Sequence, residues 1–141
     1  MRKFLHACKA FAVIALSLGA ALFALLLYRA PVFEKGSGYE LYFGTSSSAQ
    51  CVRTENPLLY KLTCAPKGES VRYEGERYAE LKEKFGATLL FTENVCGVTN
   101  YYLYSPILGE PVFLNGHAVN LHLAVSAEQT AAGTPLIFGG F

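Results

Sequence analysis

Between residues 10 and 28 the chain runs for nineteen positions without a charge, AFAVIALSLGAALFALLLY. No other feature limits its fold so strongly. A helix of ~20 apolar residues spans a hydrocarbon layer ~30 Å thick, so this run is long enough to cross a membrane. Ser17 and Gly19 interrupt it, and membrane helices tolerate both residue types.

The flanks set the expected orientation. Arg2, Lys3 and Lys9 precede the run, whereas Arg29 and Lys35 follow it and are offset in part by Glu34. The positive-inside rule then keeps the N-terminus in the cytoplasm. A cleaved secretory signal has a shorter apolar region of ~7–15 residues and a small-x-small site after it. Here the run is longer, Ala30 is followed by Pro31, and bulky Tyr28 stands where cleavage needs a small side chain. The expectation is an uncleaved signal anchor in the cell membrane, single-pass, with an extracytoplasmic C-terminal domain. Secretion after signal cleavage is the alternative, and a buried soluble helix a third reading. Cys8 closes a Leu-His-Ala-Cys string faintly like a lipoprotein box. It lies before the apolar run rather than after it, which argues against lipidation.

A chain of 141 residues has room for this anchor and one domain. The expected division is 1–30 for the cytoplasmic N-terminus and transmembrane anchor, 31–38 (PVFEKGSG) for a linker, and 39–141 for the domain. Beyond residue 30 there are eight basic and eleven acidic side chains, a net −3, and every acidic one is Glu. A mildly acidic domain without basic runs lacks the charge that neutralises phosphates, so no nucleic-acid partner is expected.

Local patterns predict an α+β fold, a mostly antiparallel β-sheet with one packed α-helix following the transmembrane helix. Residues 39–43 (YELYF) alternate as a half-buried strand, and 44–48 (GTSSS) form a turn cluster. Residues 69–73 suit a short strand. The helix is expected over 75–85 (GERYAELKEKF), with Tyr78, Leu81 and Phe85 as its apolar stripe, Glu80 pairing with Lys84, and Gly86 as its stop. Strands follow at 87–92, 100–104 and in a hairpin around Asn115 and Gly116, whose second arm runs over 118–125. A last strand is expected at 134–138 (TPLIF).

Cys51 and Cys64 flank two strand-like runs on either side of Asn56, Pro57, Leu58 and Leu59. With Pro57 and Leu58 at a hairpin tip, pairing places the two cysteines opposite each other, where a disulfide can close; two reduced cysteines packed as small hydrophobes are the other reading. Cys96 is left over as a half-buried thiol.

No catalytic residues, cofactor or metal site are indicated. His117 and His122 lie five apart on one expected strand and should face opposite ways. A Ser-His-Asp triad is impossible without Asp, and no nucleophile-elbow pattern occurs. Ser46 to Ser48 reads as turn chemistry. Leu62, Thr63 and Cys64 resemble the TLxTC motif of sortases, but those enzymes place the catalytic His before the Cys, and no His beyond the anchor precedes Cys64. Tyr101, Tyr102, Tyr104 and Phe113 are candidates for a surface contact, set against the plainer role of covering a sheet face.

The C-terminal third carries three short motifs: Tyr104-Ser105-Pro106, then Val119-Asn120-Leu121 leading to Ala124, then Gly133-Thr134-Pro135-Leu136-Ile137. Together, over about residues 87–141, they make the chain resemble the YwmB family of exported Firmicutes proteins. The resemblance implies a fold similar to the TATA-box-binding protein, a curved antiparallel sheet carrying helices. It implies no catalytic residues, because that family has no established activity. The chain is shorter than the family pattern and has one soluble helix where that pattern needs more.

The functional expectation is a non-enzymatic envelope module acting through protein or peptide contact. Two alternatives come from other classes. A pseudopilin-like filament or secretion-system subunit would also join a hydrophobic helix to a sheet domain, but the chain lacks the processing site and the helix Glu of that class, and Pro31 breaks the helix. A cryptic thiol enzyme would use Cys96 with His117 or His122.

Overall fold

A computed structural model describes residues 2–44 and 50–139. The chain divides into two compact units, Met1–Pro31 and Val32–Phe141. In the first, α1 (Arg2–Arg29) is a continuous helix, and its Cys8–Arg29 portion is long and apolar enough to cross a membrane. A helix of this kind beside an N-terminus fits a membrane anchor or a signal sequence.

The second unit is α+β. Seven antiparallel strands form one sheet in the order β2-β1-β3-β9-β8-β5-β4. They are β1 (Ser37–Phe43), β2 (Gln50–Thr54), β3 (Gly68–Glu74), β4 (Thr88–Val95), β5 (Val98–Tyr104), β8 (Leu121–Val125) and β9 (Gln129–Thr134). A separate hairpin joins β6 (Val112–Leu114) to β7 (His117–Val119). Its turn residues Asn115 and Gly116 have φ of 51° and 79°, as a two-residue hairpin turn of this kind requires.

Helix α3 (Tyr78–Lys84) covers one face of the sheet, shorter than the 75–85 expected. Gly75 bounds it in front with φ 70°. The Arg77 N–H, an orphan of the first turn, donates to Thr130 Oγ1 at 2.9 Å. At the other end Gly86 takes φ 53°, and the N–H groups of Gly86 and Ala87 donate to Glu83 and Lys82 carbonyls at 3.0 and 2.9 Å. That is a Schellman stop with glycine at C′. Leu81 and Phe85 point into a core with Phe33, Val71, Leu103, Leu121, Leu123 and Val125. The expected Glu80–Lys84 pair does not form. Glu80 takes Arg77 at 2.6 Å, and Lys84 reaches Glu34 at 3.2 Å.

Four local expectations are overturned. Residues 57–63 are not the second arm of a hairpin but a helix, α2 (Pro57–Thr63). Pro57 stands in its first turn, where its missing N–H costs nothing and its fixed φ suits a helix. The expected final strand lies earlier, at β9, because Pro135 cannot continue the ladder. The arm expected over 118–125 breaks at buried Asn120 into β7 and β8, and the two parts join different sheets. Finally, the stretch read as a loose linker belongs to the second unit from Val32 onward, with Phe33 fully buried and edge-on to Phe85 at 5.6 Å. The turn cluster at 44–48 falls, from Thr45 on, outside the described residues.

Candidate functional site: the far face and the open edge of the sheet

Strand alternation sends Glu40, Tyr42, Ser70, Ala131, Gly133, His122, Ala124, Asn100, Tyr102 and Phe91 to the face opposite α3, as the pairings Ser70↔Gly133, Gly133↔His122, His122↔Tyr102 and Tyr102↔Phe91 require. Two polar groupings result, one toward each end of the sheet.

Toward β2 the Arg53 guanidinium bonds Glu40 Oε1 at 2.6 Å. The Tyr42 hydroxyl donates to Glu40 Oε2 at 2.7 Å and lies 3.1 Å from Ser70 Oγ. It also accepts the Gly139 N–H at 3.0 Å. Burial, with the Glu40 carboxylate alongside, pushes the Tyr42 phenol up to about 12, although the Ser70 bond opposes it. The sequence reading missed this group. Its one visible signal is Glu40, a charge inside the strand YELYF.

Toward β4 three rings lie in a stacked row. Phe91 and Tyr102 have centroids 4.4 Å apart, and Tyr102 and His122 4.5 Å. Buried His122 donates from Nε2 to Asn100 Oδ1 at 3.0 Å, the tautomer assigned because Nδ1 accepts the Ile137 N–H at 3.3 Å. Desolvation pulls its pKa down to about 4, so it is neutral at physiological pH. The Tyr102 hydroxyl donates to Glu93 at 3.0 Å, and burial followed by that bond raises it to about 12.

The sequence candidates separate. Tyr101 faces α3 and stacks on Tyr78 at 4.0 Å, while Tyr102 is buried in the row on the opposite face. Tyr104, on the face of Tyr102, is exposed, and Phe113 on the β6–β7 hairpin is 81% exposed. His117 and His122 do not part company as simple alternation predicts. The break at Asn120 lets the His117 ring meet Phe91, 5.6 Å between centroids, at the end of the row that holds His122. No group of three or more His, Cys or Glu side chains placed to hold a metal occurs among the described residues.

Cys51 lies on β2 and Cys64 follows α2, both exposed, and no disulfide joins the described cysteines. With the hairpin replaced by a helix, the geometry that set them opposite each other is gone. Burial and then Glu40 raise the Cys51 thiol, with Arg53 opposing, which disfavours the thiolate. Cys96 is exposed rather than half-buried, at φ 52° in the tight turn with Gly97 between β4 and β5. His117 sits against Phe91, five residues back from Cys96 along β4, about 17 Å at the usual strand rise. The ring nitrogens of His122 are engaged elsewhere, so no Cys96–imidazole pair is assembled.

The three C-terminal motifs meet in structural bonds. The Ser105 N–H donates to Asn120 Oδ1 at 2.7 Å, and Asn120 Nδ2 donates to the Ser105 and Gly109 carbonyls at 2.8 and 3.1 Å. Gly133 is where the chain turns back on itself, because a Cβ there would lie 2.6 Å from Ile137 Cγ1.

The remaining feature is one of the sheet's two edges, the other being the shorter strand β2, which pairs with β1 alone among the described strands. Strand β4 pairs with β5 alone, so its outer side is open among the described strands. Leu89 and Val95 on β4, Tyr104 at the end of β5 and Ile107 just beyond it are exposed apolar groups. No protein family, characterised protein or solved structure matches the chain.

Proposed function

We propose that the chain is a single-pass, membrane-anchored module of the cell envelope. In this reading α1 is retained with its N-terminus in the cytoplasm, and the domain binds an extended segment of another envelope protein along β4, without catalysis. The observation that supports it is the eight-residue open edge, carrying exposed Leu89 and Val95 beside Tyr104 and Ile107. Edge strands are normally blunted by charge, proline or cover, and an open one pairs readily with another chain. β4 has no proline and one charged residue, Glu93, which is engaged with Tyr102. Strand addition supplies main-chain hydrogen bonds, and the exposed side chains supply selectivity. The titratable groups of the far face support a binding role, because His122 at about 4 and Tyr102 and Tyr42 at about 12 are not tuned near neutral pH, as general acids and bases are.

The filament alternative calls for a helix continuous with the domain, whereas α1 stops at Arg29. Photo-crosslinking amino acids placed at Leu89, Val95 and, as a control on α3, Glu83 test the binding reading in native membranes. Leu89 and Val95 should capture the same partner and Glu83 none. Equal capture from all three, or none from β4, overturns it.

A further inference from the structure

Helix α2 is inside out. At ~100° per residue, Leu58, Leu62 and Leu59 fall within an arc of about 100°, and Pro57 and Lys61 lie on the opposite side. An amphipathic helix of a soluble domain buries its leucine arc. Here Pro57 and Lys61 are the buried residues, whereas Leu58, Leu59 and Leu62 are 36%, 59% and 38% exposed, with Tyr60 at 39%. What turns the helix this way is Glu69. Its carboxylate takes the Lys61 ammonium, and it also accepts the Val32 and Phe33 N–H groups at 2.7 and 3.2 Å. One buried carboxylate therefore binds α2 to the first residues of the domain.

Those residues follow directly on α1. Val32 is three residues beyond Arg29, where α1 ends, and three residues span at most about 11 Å. With α1 in a bilayer, the atoms that hold α2 are tethered within that reach of the membrane surface. From these observations we infer that α2 lies in the lipid interface, its leucine arc sunk among the outer-leaflet acyl chains and Tyr60 at headgroup level. The occupant of the arc is lipid, bound through apolar contact: the arc itself carries no charge, so zwitterionic lipid suffices. This rests on the reading that α1 stays in the membrane.

The chain contains no Trp, so Leu59→Trp is a sole tryptophan at the most exposed position of the arc. The full chain, reconstituted at low protein-to-lipid ratio into phosphatidylcholine vesicles, is floated and titrated with lipid brominated on its acyl chains. Leu59→Trp should emit blue-shifted light and lose about half or more of it, as a ring ~5–10 Å into the boundary would. Leu62→Trp should behave alike, and Phe113→Trp should stay water-like and unquenched. A floating chain whose Trp at 59 and 62 is unquenched overturns the docking of α2 alone. Blue-shifted but unquenched emission means that protein covers the arc, a second copy or a partner, and overturns it too. A chain that does not float overturns the anchoring and α2 docking together.

Discussion

The two ends of the sheet bury polar groups in opposite ways. At the β2 end the buried groups are charged: Glu69 with Lys61 on the α3 side, and on the other Glu40, held by the exposed Arg53 guanidinium. At the β4 end the buried groups are neutral: His122 with Asn100, beside stacked aromatic rings. Charges earn their burial only where they organise something, because desolvation cancels most of what the pair gains. Glu69 organises the chain's entry into the domain and the setting of α2. The β4 end has no such junction to hold, and its rings and neutral amide pack a surface that stays open at its edge.

The largest effect should come from breaking the charged end. Glu69→Ala removes the carboxylate from beside buried Lys61 and leaves the Val32 and Phe33 N–H groups without their acceptor. Unfolding by denaturant should show a loss of about 3–5 kcal/mol. Glu69→Gln with Lys61→Met keeps an acceptor and removes both charges, and should recover more than half of that loss. A double variant as unstable as Glu69→Ala would mean that the pair itself, rather than the acceptor, holds the junction.

The neutral end should respond to pH instead. His122 is lowered to about 4 from an ordinary 6.5, so the unfolded chain binds its proton first as pH falls. The stability tied to neutral His122 is complete above about 6.5 and is lost progressively down to about 4. Between pH 7 and pH 5 the domain should lose about 2 kcal/mol by this route. His122→Gln should flatten that slope while leaving the acid limb due to carboxylates. An unchanged slope would show that His122 is not the group responsible.

How far the two ends were legible in the sequence follows from the same contrast. Alternating β1, the two-glycine frame of α3 and the Asn115–Gly116 turn are local signals, and each is found as an element, α3 shorter than expected. The α2 segment is ambiguous in sequence because LLYKL suits a strand as well as a helix; a contact outside the helix, Lys61 with Glu69, fixes the outcome. Strand β9 (QTAAGT) carries no apolar alternation, since its Gly133, without a Cβ, makes room for the returning chain around Ile137. The far-face groups depend on register between β1, β3, β5 and β8, which no local pattern reveals. The break at Asn120 leaves no mark in the alternation of 118–125, because its three bonds to Ser105 and Gly109 are non-local.

The smallest effect on stability should separate folding from function at both open regions. Phe113→Ser and Leu59→Gln alter side chains that are 81% and 59% exposed, so each should change unfolding free energy by no more than about 0.5 kcal/mol. A larger loss at Phe113 would mean that the hairpin side chain packs on the domain in solution, and would remove it from any contact surface. At Leu59 the sharper readout compares detergent with bilayer. Leu59→Gln should leave stability in detergent within that bound, yet loosen the domain's protection from protease in vesicles, because only there does an extended lipid interface hold the leucine arc. Equal protease sensitivity of wild type and variant in vesicles would assign the leucine arc to water, and the contrast between the ends would then rest on their buried groups alone.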